Sequence, residues 1–160
     1  MAGAGFDANV VHGMRPWLKR RTGKFAYVVS GLEQLWRRAE SLEVQLDDGS
    51  RRTAYSVILC NGRLYAGRFV LTPRAQCFDD SLDAMLLLRP GILSLLSLVG
   101  RVLNKRALLP PDAEVLRAKT ISIKGSGPVQ ADGDFIGFLP MDFSMVAGAL
   151  SIVFPPPPND

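Results

Sequence analysis

The chain has 160 residues, with 19 Lys and Arg, 15 Asp and Glu, one His and two Cys, and a formal net charge of +4. That length suits one domain, and 48% hydrophobic residues exclude an intrinsically disordered chain. Two cysteines exclude a disulfide-dense scaffold and a Cys-based zinc cluster, and a single histidine excludes His-rich metal sites.

The charge excess is local. Residues 1–40 hold Arg15, Lys19, Arg20, Arg21, Lys24, Arg37 and Arg38 against Asp7, Glu33 and Glu40. A basic edge suits nucleic acid, anionic lipid or a phosphate-bearing ligand, and equally a plain solvated face. Residues 1–5 are small and are expected to be flexible, with no secretory signal. Residues 14–22 form a basic connector containing Pro16. Residues 23–36 read as a helix, because Phe25, Val28, Val29, Leu32, Leu35 and Trp36 recur at steps of three and four. Leu42, Val44 and Leu46 then alternate with polar residues, the period of a half-buried strand. Asp47-Asp48-Gly49-Ser50 is a hairpin signal, and one return strand is expected over 53–60. Asn61-Gly62 turns the chain again, and a third strand is expected over 67–71.

Residues 74–83 read as a loop, and 84–88 as a short buried strand. Residues 92–106 read as a second helix, with Ser94, Ser97, Arg101 and Asn104 on one narrow stripe. Most of its apolar face is expected to pack on the sheet. The apolar run from 91 to 103 is shorter than the roughly 18 residues a membrane span needs. Strands are expected over 115–123, 129–131, 135–138 and 149–154, with a stiff Pro-rich tail at 155–160. The sum is a mainly β (α+β) domain, an antiparallel β-sandwich with two helices, occupying residues 1–160. Reduced cysteines and the missing signal predict a cytoplasmic protein. Cys60 and Cys77 lack CxxC spacing and are expected to be buried and inert.

Taken alone, the residues leave function open. Gly3-Ala4-Gly5 is too short for a dinucleotide fingerprint, and no complete phosphate loop is present. Asp132 and Asp134 flank Gly133, which would aim two carboxylates outward but is also an ordinary Asp-Gly turn. Asp79, Asp80 and Asp83 crowd a loop rim, where they either hold a hard cation or are simply solvated.

Read in order, four segments resemble the diacylglycerol kinase family of lipid kinases, which includes the bacterial diacylglycerol and phosphatidylglycerol kinases and the sphingosine kinases. Gly3-Ala4-Gly5-Phe6-Asp7-Ala8 resembles G-x-G-F-D-A, with Ala26-Tyr27 in the helix that follows. Asn61-Gly62-Arg63-Leu64-Tyr65-Ala66-Gly67 resembles N-G-R-Y-Y-G-G. The stretch from Leu71-Thr72-Pro73-Arg74-Ala75 through Asp79 to Leu82-Asp83 resembles L-x-P-x-A-x-x-x-D-G-x-L-D. Val129-Gln130-Ala131-Asp132-Gly133-Asp134 resembles V-Q-x-D-G-E, and Pro140 and residues 146–154 follow the family's closing strands.

The resemblance implies the C-terminal β-sandwich domain of a two-domain kinase, without the N-terminal nucleotide-binding domain and its G-G-D-G-T loop. It implies ATP-dependent phosphorylation of a lipid hydroxyl with Mg2+, ATP being bound mainly by the absent domain. It assigns Asp134 to the position that accepts the hydroxyl proton, and Asp132 to its supporting acid. Asp79 takes the position of a magnesium carboxylate, with Gln76 and Ser81 at positions that lend main-chain carbonyls. Three positions depart from the family pattern: Asp134 replaces Glu, Asp80 replaces Gly, and Ala66 replaces Gly. The partners implied are a lipid substrate, a nucleotide-binding domain in cis or trans and a peripheral membrane surface, with possible self-association through a sheet edge. No nucleic-acid partner is expected, since aromatic and basic residues do not interleave. The chain by itself is expected to be inactive. The rival reading is a non-catalytic lipid-binding or partner module of the same fold.

Overall fold

The computed structural model describes residues 1–12, 40–65, 69–104, 106–149 and 151. The helix expected over 23–36, the basic connector, Trp17 and Trp36 lie outside the described residues, as do residues 152–160 of the last expected strand and tail.

Twelve strands and two helices are described. In chain order they are β1 (Ala2–Gly5), α1 (Phe6–His12), β2 (Leu42–Leu46), β3 (Arg51–Ala54), β4 (Ser56–Cys60), β5 (Leu64–Tyr65), β6 (Phe69–Val70) and β7 (Leu82–Leu87). Then follow α2 (Ile92–Leu103), β8 (Ala113–Ala118), β9 (Thr120–Lys124), β10 (Pro128–Ala131), β11 (Asp134–Phe138) and β12 (Met141–Ser144). A six-stranded sheet runs β11-β10-β1-β4-β7-β8, and a four-stranded sheet runs β12-β9-β2-β3. The short β5-β6 hairpin stands apart. Every pairing is antiparallel.

The two large sheets close on one core. Ala4, Val57, Leu59, Ala84, Leu86, Ala118 and Val129 of the larger sheet meet Leu42, Val44, Leu46, Ala54, Ile121 and Ile123 of the smaller. This is the expected antiparallel sandwich, and the alternation along 42–46 is what places Leu42, Val44 and Leu46 inward. The opposite face of the larger sheet is covered too. Ile58, Cys60, Met85, Leu87 and Ala113 form a second cluster with Leu71 and with Leu98 of α2. All five residues of β4 are therefore buried, as its continuous apolar run predicts.

Five expectations need correction. Residues 2–5 are not flexible: they form β1, hydrogen-bonded between β10 and β4 inside the six-stranded sheet. Small residues carry no strand propensity, but their shallow side chains suit a crowded central slot. The return strand expected over 53–60 is two strands in different sheets, broken at Tyr55, whose N–H donates to the Leu87 carbonyl at 2.8 Å. The strand expected over 115–123 likewise breaks at Lys119, whose N–H donates to Asp47 Oδ2 at 2.8 Å. β12 was not anticipated, and Ala149, the start of the last expected strand, lies beyond it in a bend. Cys77 is exposed rather than buried.

Candidate functional site

The β10–β11 hairpin turns on two residues, Asp132 and Gly133, between the paired Ala131 and Asp134. Both turn residues have positive φ, 49° and 89°, the pattern of a type I′ hairpin. Asp and Gly are chosen there because they tolerate the left-handed region. The side chain of Gln130 lies fully buried beneath the turn, and its Oε1 accepts the Gly133 N–H at 2.9 Å. The Asp132 N–H donates to the Met1 carbonyl at 3.0 Å, and the Met1 amine lies 2.6 Å from Asp132 Oδ1. Asp132 and Asp134 are both exposed on this braced turn. Beside them, Phe135 and Phe138 contact one another with ring centroids 5.1 Å apart, and His12 of α1 lies against both.

The second acidic group is a compact loop leading into β7. The Gln76 N–H donates to Asp79 Oδ2 at 3.1 Å, and the Asp79 N–H donates to the Gln76 carbonyl at 3.0 Å. Arg117 of β8 reaches across to it. Its guanidinium lies 3.2 Å from Asp79 Oδ2 and 2.7 Å from Asp83 Oδ1, and donates to the Arg74 carbonyl at 2.9 Å. Lys119 Nζ lies 2.6 Å from Asp80 Oδ2. The hydrogen bond from Lys119, aided by its charge, holds the Asp80 carboxyl below its ordinary value. The same bond raises Lys119, and the Asp83 hydrogen bond raises Arg117. Ser81 is half-buried just before β7.

As arranged, this loop does not fit a divalent cation. The Asp79 carboxylate is already neutralised by Arg117, and a cation there would sit against a guanidinium. Among the described residues, no group of three or more His, Cys, Asp or Glu is placed to hold a metal ion.

Strand register relates the two groups. Ala131, Ala2, Leu59 and Ala84 lie in one row across β10, β1, β4 and β7, and the next row ends on Asp83 paired with Cys60. The 132–134 turn and the 76–83 loop therefore project from the same end of the six-stranded sheet, three strand spacings or about 14 Å apart. The Asn61-Gly62 turn leaves that end from β4, between them. Thr72 ties it down, with its Oγ1 donating to the Gly62 carbonyl at 3.1 Å. Three of the four quoted segments thus converge, whereas residues 3–8 run through the sheet toward its opposite end. Asp132 and Asp134 sit on one projection of that sheet end and Asp79 on another.

Sequence reasoning missed two residues that shape this end of the molecule. Gln130 was visible as a polar residue in an otherwise apolar strand. Arg117 carried no signal, because its role depends on β8 pairing with β7 opposite Asp83.

Comparison with known proteins gives this arrangement its class. The sequence matches the family described as the YegS C-terminal NAD kinase beta sandwich-like domain over residues 1–154. The chain belongs to that family. It is 28% identical over 160 residues to proteins named diacylglycerol kinase from Mycobacterium tuberculosis, strains CDC 1551 and H37Rv, covering 97% of this chain and 51% of each relative. The chain thus spans about half the length of the curated relatives it matches. A crystal structure from Bacillus anthracis str. Sterne, of a protein assigned as a diacylglycerol kinase, superposes with a TM-score of 0.65 at 19% identity, over 92% of this chain and 49% of that one. A second, titled as a diacylglycerol kinase structure from the same organism, gives 0.62 at 23% identity, over 92% and 48%. These structures share the fold.

Proposed function

We propose that this chain is the C-terminal half-site of an ATP-dependent lipid kinase that phosphorylates a lipid hydroxyl such as that of diacylglycerol. The observation that carries the reading is the braced 132–134 turn, which presents two carboxylates at the sheet end shared with the 61–65 and 71–83 segments. Asp134 takes the hydroxyl proton as the acceptor oxygen bonds to the γ-phosphorus of ATP and the bond to ADP breaks. Phosphoryl transfer demands positioning and charge neutralisation, with one group to take that proton. Mg2+, when bound with ATP, supplies the charge neutralisation on the phosphate oxygens. Asp132 supports the site as a second acid. A metal role for Asp79, with carbonyls of Gln76 and Ser81, requires Arg117 to leave the Asp79 carboxylate, so no step is routed through that loop. Phe135 and Phe138 offer an apolar wall beside the carboxylates, suited to the aliphatic part of an acceptor.

The test is Mg-ATP-dependent phosphate transfer to lipids in mixed micelles, using this chain alone and with a nucleotide-binding domain of the family. Activity is expected only in the mixture. Asp134→Asn is expected to lower it by about 10²–10⁴-fold, the range of a lost general base. Full activity in Asp134→Asn would overturn the assignment. The ion pair between Arg117 and Asp79 favours one second reading, a non-catalytic lipid-binding or partner module. That reading predicts lipid binding indifferent to Asp134→Asn and no transfer in the mixture.

A further inference from the structure

Helix α2 turns only one flank of its apolar surface to the sheet. An amphipathic helix on a sheet ordinarily turns its apolar stripe inward and its polar stripe to water. Here the N-terminal part of the polar stripe faces the protein, while Asn104 at its end stays exposed. Ser94 is buried, Ser97 Oγ donates to Asp112 Oδ2 at 2.9 Å, and the Arg101 guanidinium donates to the Ala107 carbonyl at 3.0 Å. Only Leu98 is fully buried among its apolar residues, with Leu95 and Val102 partly packed. The expected packing of the apolar face on the sheet is therefore confined to one flank.

The outward stripe is apolar along the whole helix. Ile92, Leu93, Leu96, Val99 and Leu103 are all exposed, Leu93 at 79% and Leu103 at 61%. Apart from Leu93, they fall within one narrow arc at 100° per residue. Leu109, in the segment after the helix, is exposed as well. The sequence that carries the helix has charges of one sign. Residues 84–111 contain Arg89, Arg101, Lys105 and Arg106 and no acid. Asp112, which follows, is held by Ser97 and faces Arg89 at 3.9 Å. Twelve residues make a helix about 18 Å long, too short to cross a bilayer but sufficient to lie in its surface.

We propose that the outer face of α2 seats in the surface of an anionic bilayer, with Leu93, Leu96, Val99 and Leu103 in the acyl boundary and Arg89 and Arg106 at the headgroups. An apolar face framed by cations matches an interfacial helix, which gains from buried apolar area and from attraction to anionic lipid. A protein partner for the same face would have to supply both an apolar groove and a negative rim. The inference is independent of phosphoryl transfer, and its test involves none.

The 160-residue chain is floated with vesicles of phosphatidylglycerol and phosphatidylcholine in equal parts, and with vesicles of phosphatidylcholine alone. Binding is expected to the first and to weaken with added salt. The triple variant Leu93→Gln, Leu96→Gln, Leu103→Gln is expected to lose at least about tenfold in partitioning with its melting temperature unchanged, since all three side chains are exposed. Arg106→Gln is expected to weaken binding to the anionic vesicles only. Undiminished binding by the triple variant overturns the proposal, as does no binding by the parent chain. A parent dimer that the triple variant makes monomeric, with vesicle binding equal in both, assigns the face to a second copy and overturns it as well.

Discussion

Ser94 carries the one buried side-chain oxygen among the described residues that lacks a hydrogen-bond partner. It is buried on the same helix whose Leu98 joins the second apolar cluster, and there its hydroxyl forfeits water and gains nothing in return. Alanine removes that cost and is the better helix former. Ser94→Ala is therefore expected to leave stability unchanged or raise it by up to about 1 kcal/mol in urea unfolding. A loss beyond about 1 kcal/mol would show that the hydroxyl has an unrecognised partner. Gln130 is the contrasting case: equally buried, but bonded to the Gly133 N–H and thereby holding the 132–134 turn. The turn itself was legible, because Asp-Gly between apolar runs has few other uses. The support under it was not, because a glutamine in a strand announces neither its burial nor its partner.

At the scale of elements, three ion pairs fasten the 76–83 segment to β8 and to the corner after it. Asp83 is buried to 3% exposure and receives Arg117, while Asp80 and Lys119 pair in solvent. The folded Asp80 carboxyl titrates below its ordinary 3.8, so its contribution is present above that pH and lost as pH falls through the folded value. Lys119 titrates above its ordinary 10.5, so its contribution is complete below that pH and lost as pH rises past the folded value. The melting temperature of the parent is therefore expected to exceed that of Lys119→Met by a constant margin from about pH 4 to pH 10, and the margin is expected to shrink on both sides. A margin that does not change with pH would remove the ion pair from the account. The alternation along 42–46 and the apolar run of β4 made those strands readable. β3 and β4 were read as one because strand-forming residues continue through Tyr55, where only tertiary pairing marks the corner. The direction α2 faces was hidden as well, because a helical wheel shows two stripes without saying which meets the sheet.

At the scale of the whole molecule, the sandwich is closed by corners a single residue long. Tyr55 passes the chain from the smaller sheet to the larger, and Lys119 passes it back. Gly5 is packed against the first of these. Its φ is 83°, and a Cβ there would lie 2.5 Å from the Tyr55 carbonyl oxygen and 2.9 Å from the Ser56 Cα. Both are backbone atoms that cannot swing aside. Gly5→Ala is expected to cost about 2–4 kcal/mol in urea unfolding, from the strained backbone and the overlap together. A cost below about 0.5 kcal/mol would mean that the corner is pliable. The sandwich class was readable from strand spacing, but the pairing order was not, because β1 joins strands more than 50 and more than 120 residues away. That placement also sets a schedule for folding. The block β4-β7-β8 and the β10–β11 hairpin can each assemble from neighbouring sequence, yet nothing joins them until β1 has found both. Closure of the sheet must wait for the most distant pairing among the described strands, so refolding is expected on the millisecond-to-second scale of domains dominated by non-local pairing, which a stopped-flow refolding trace would check.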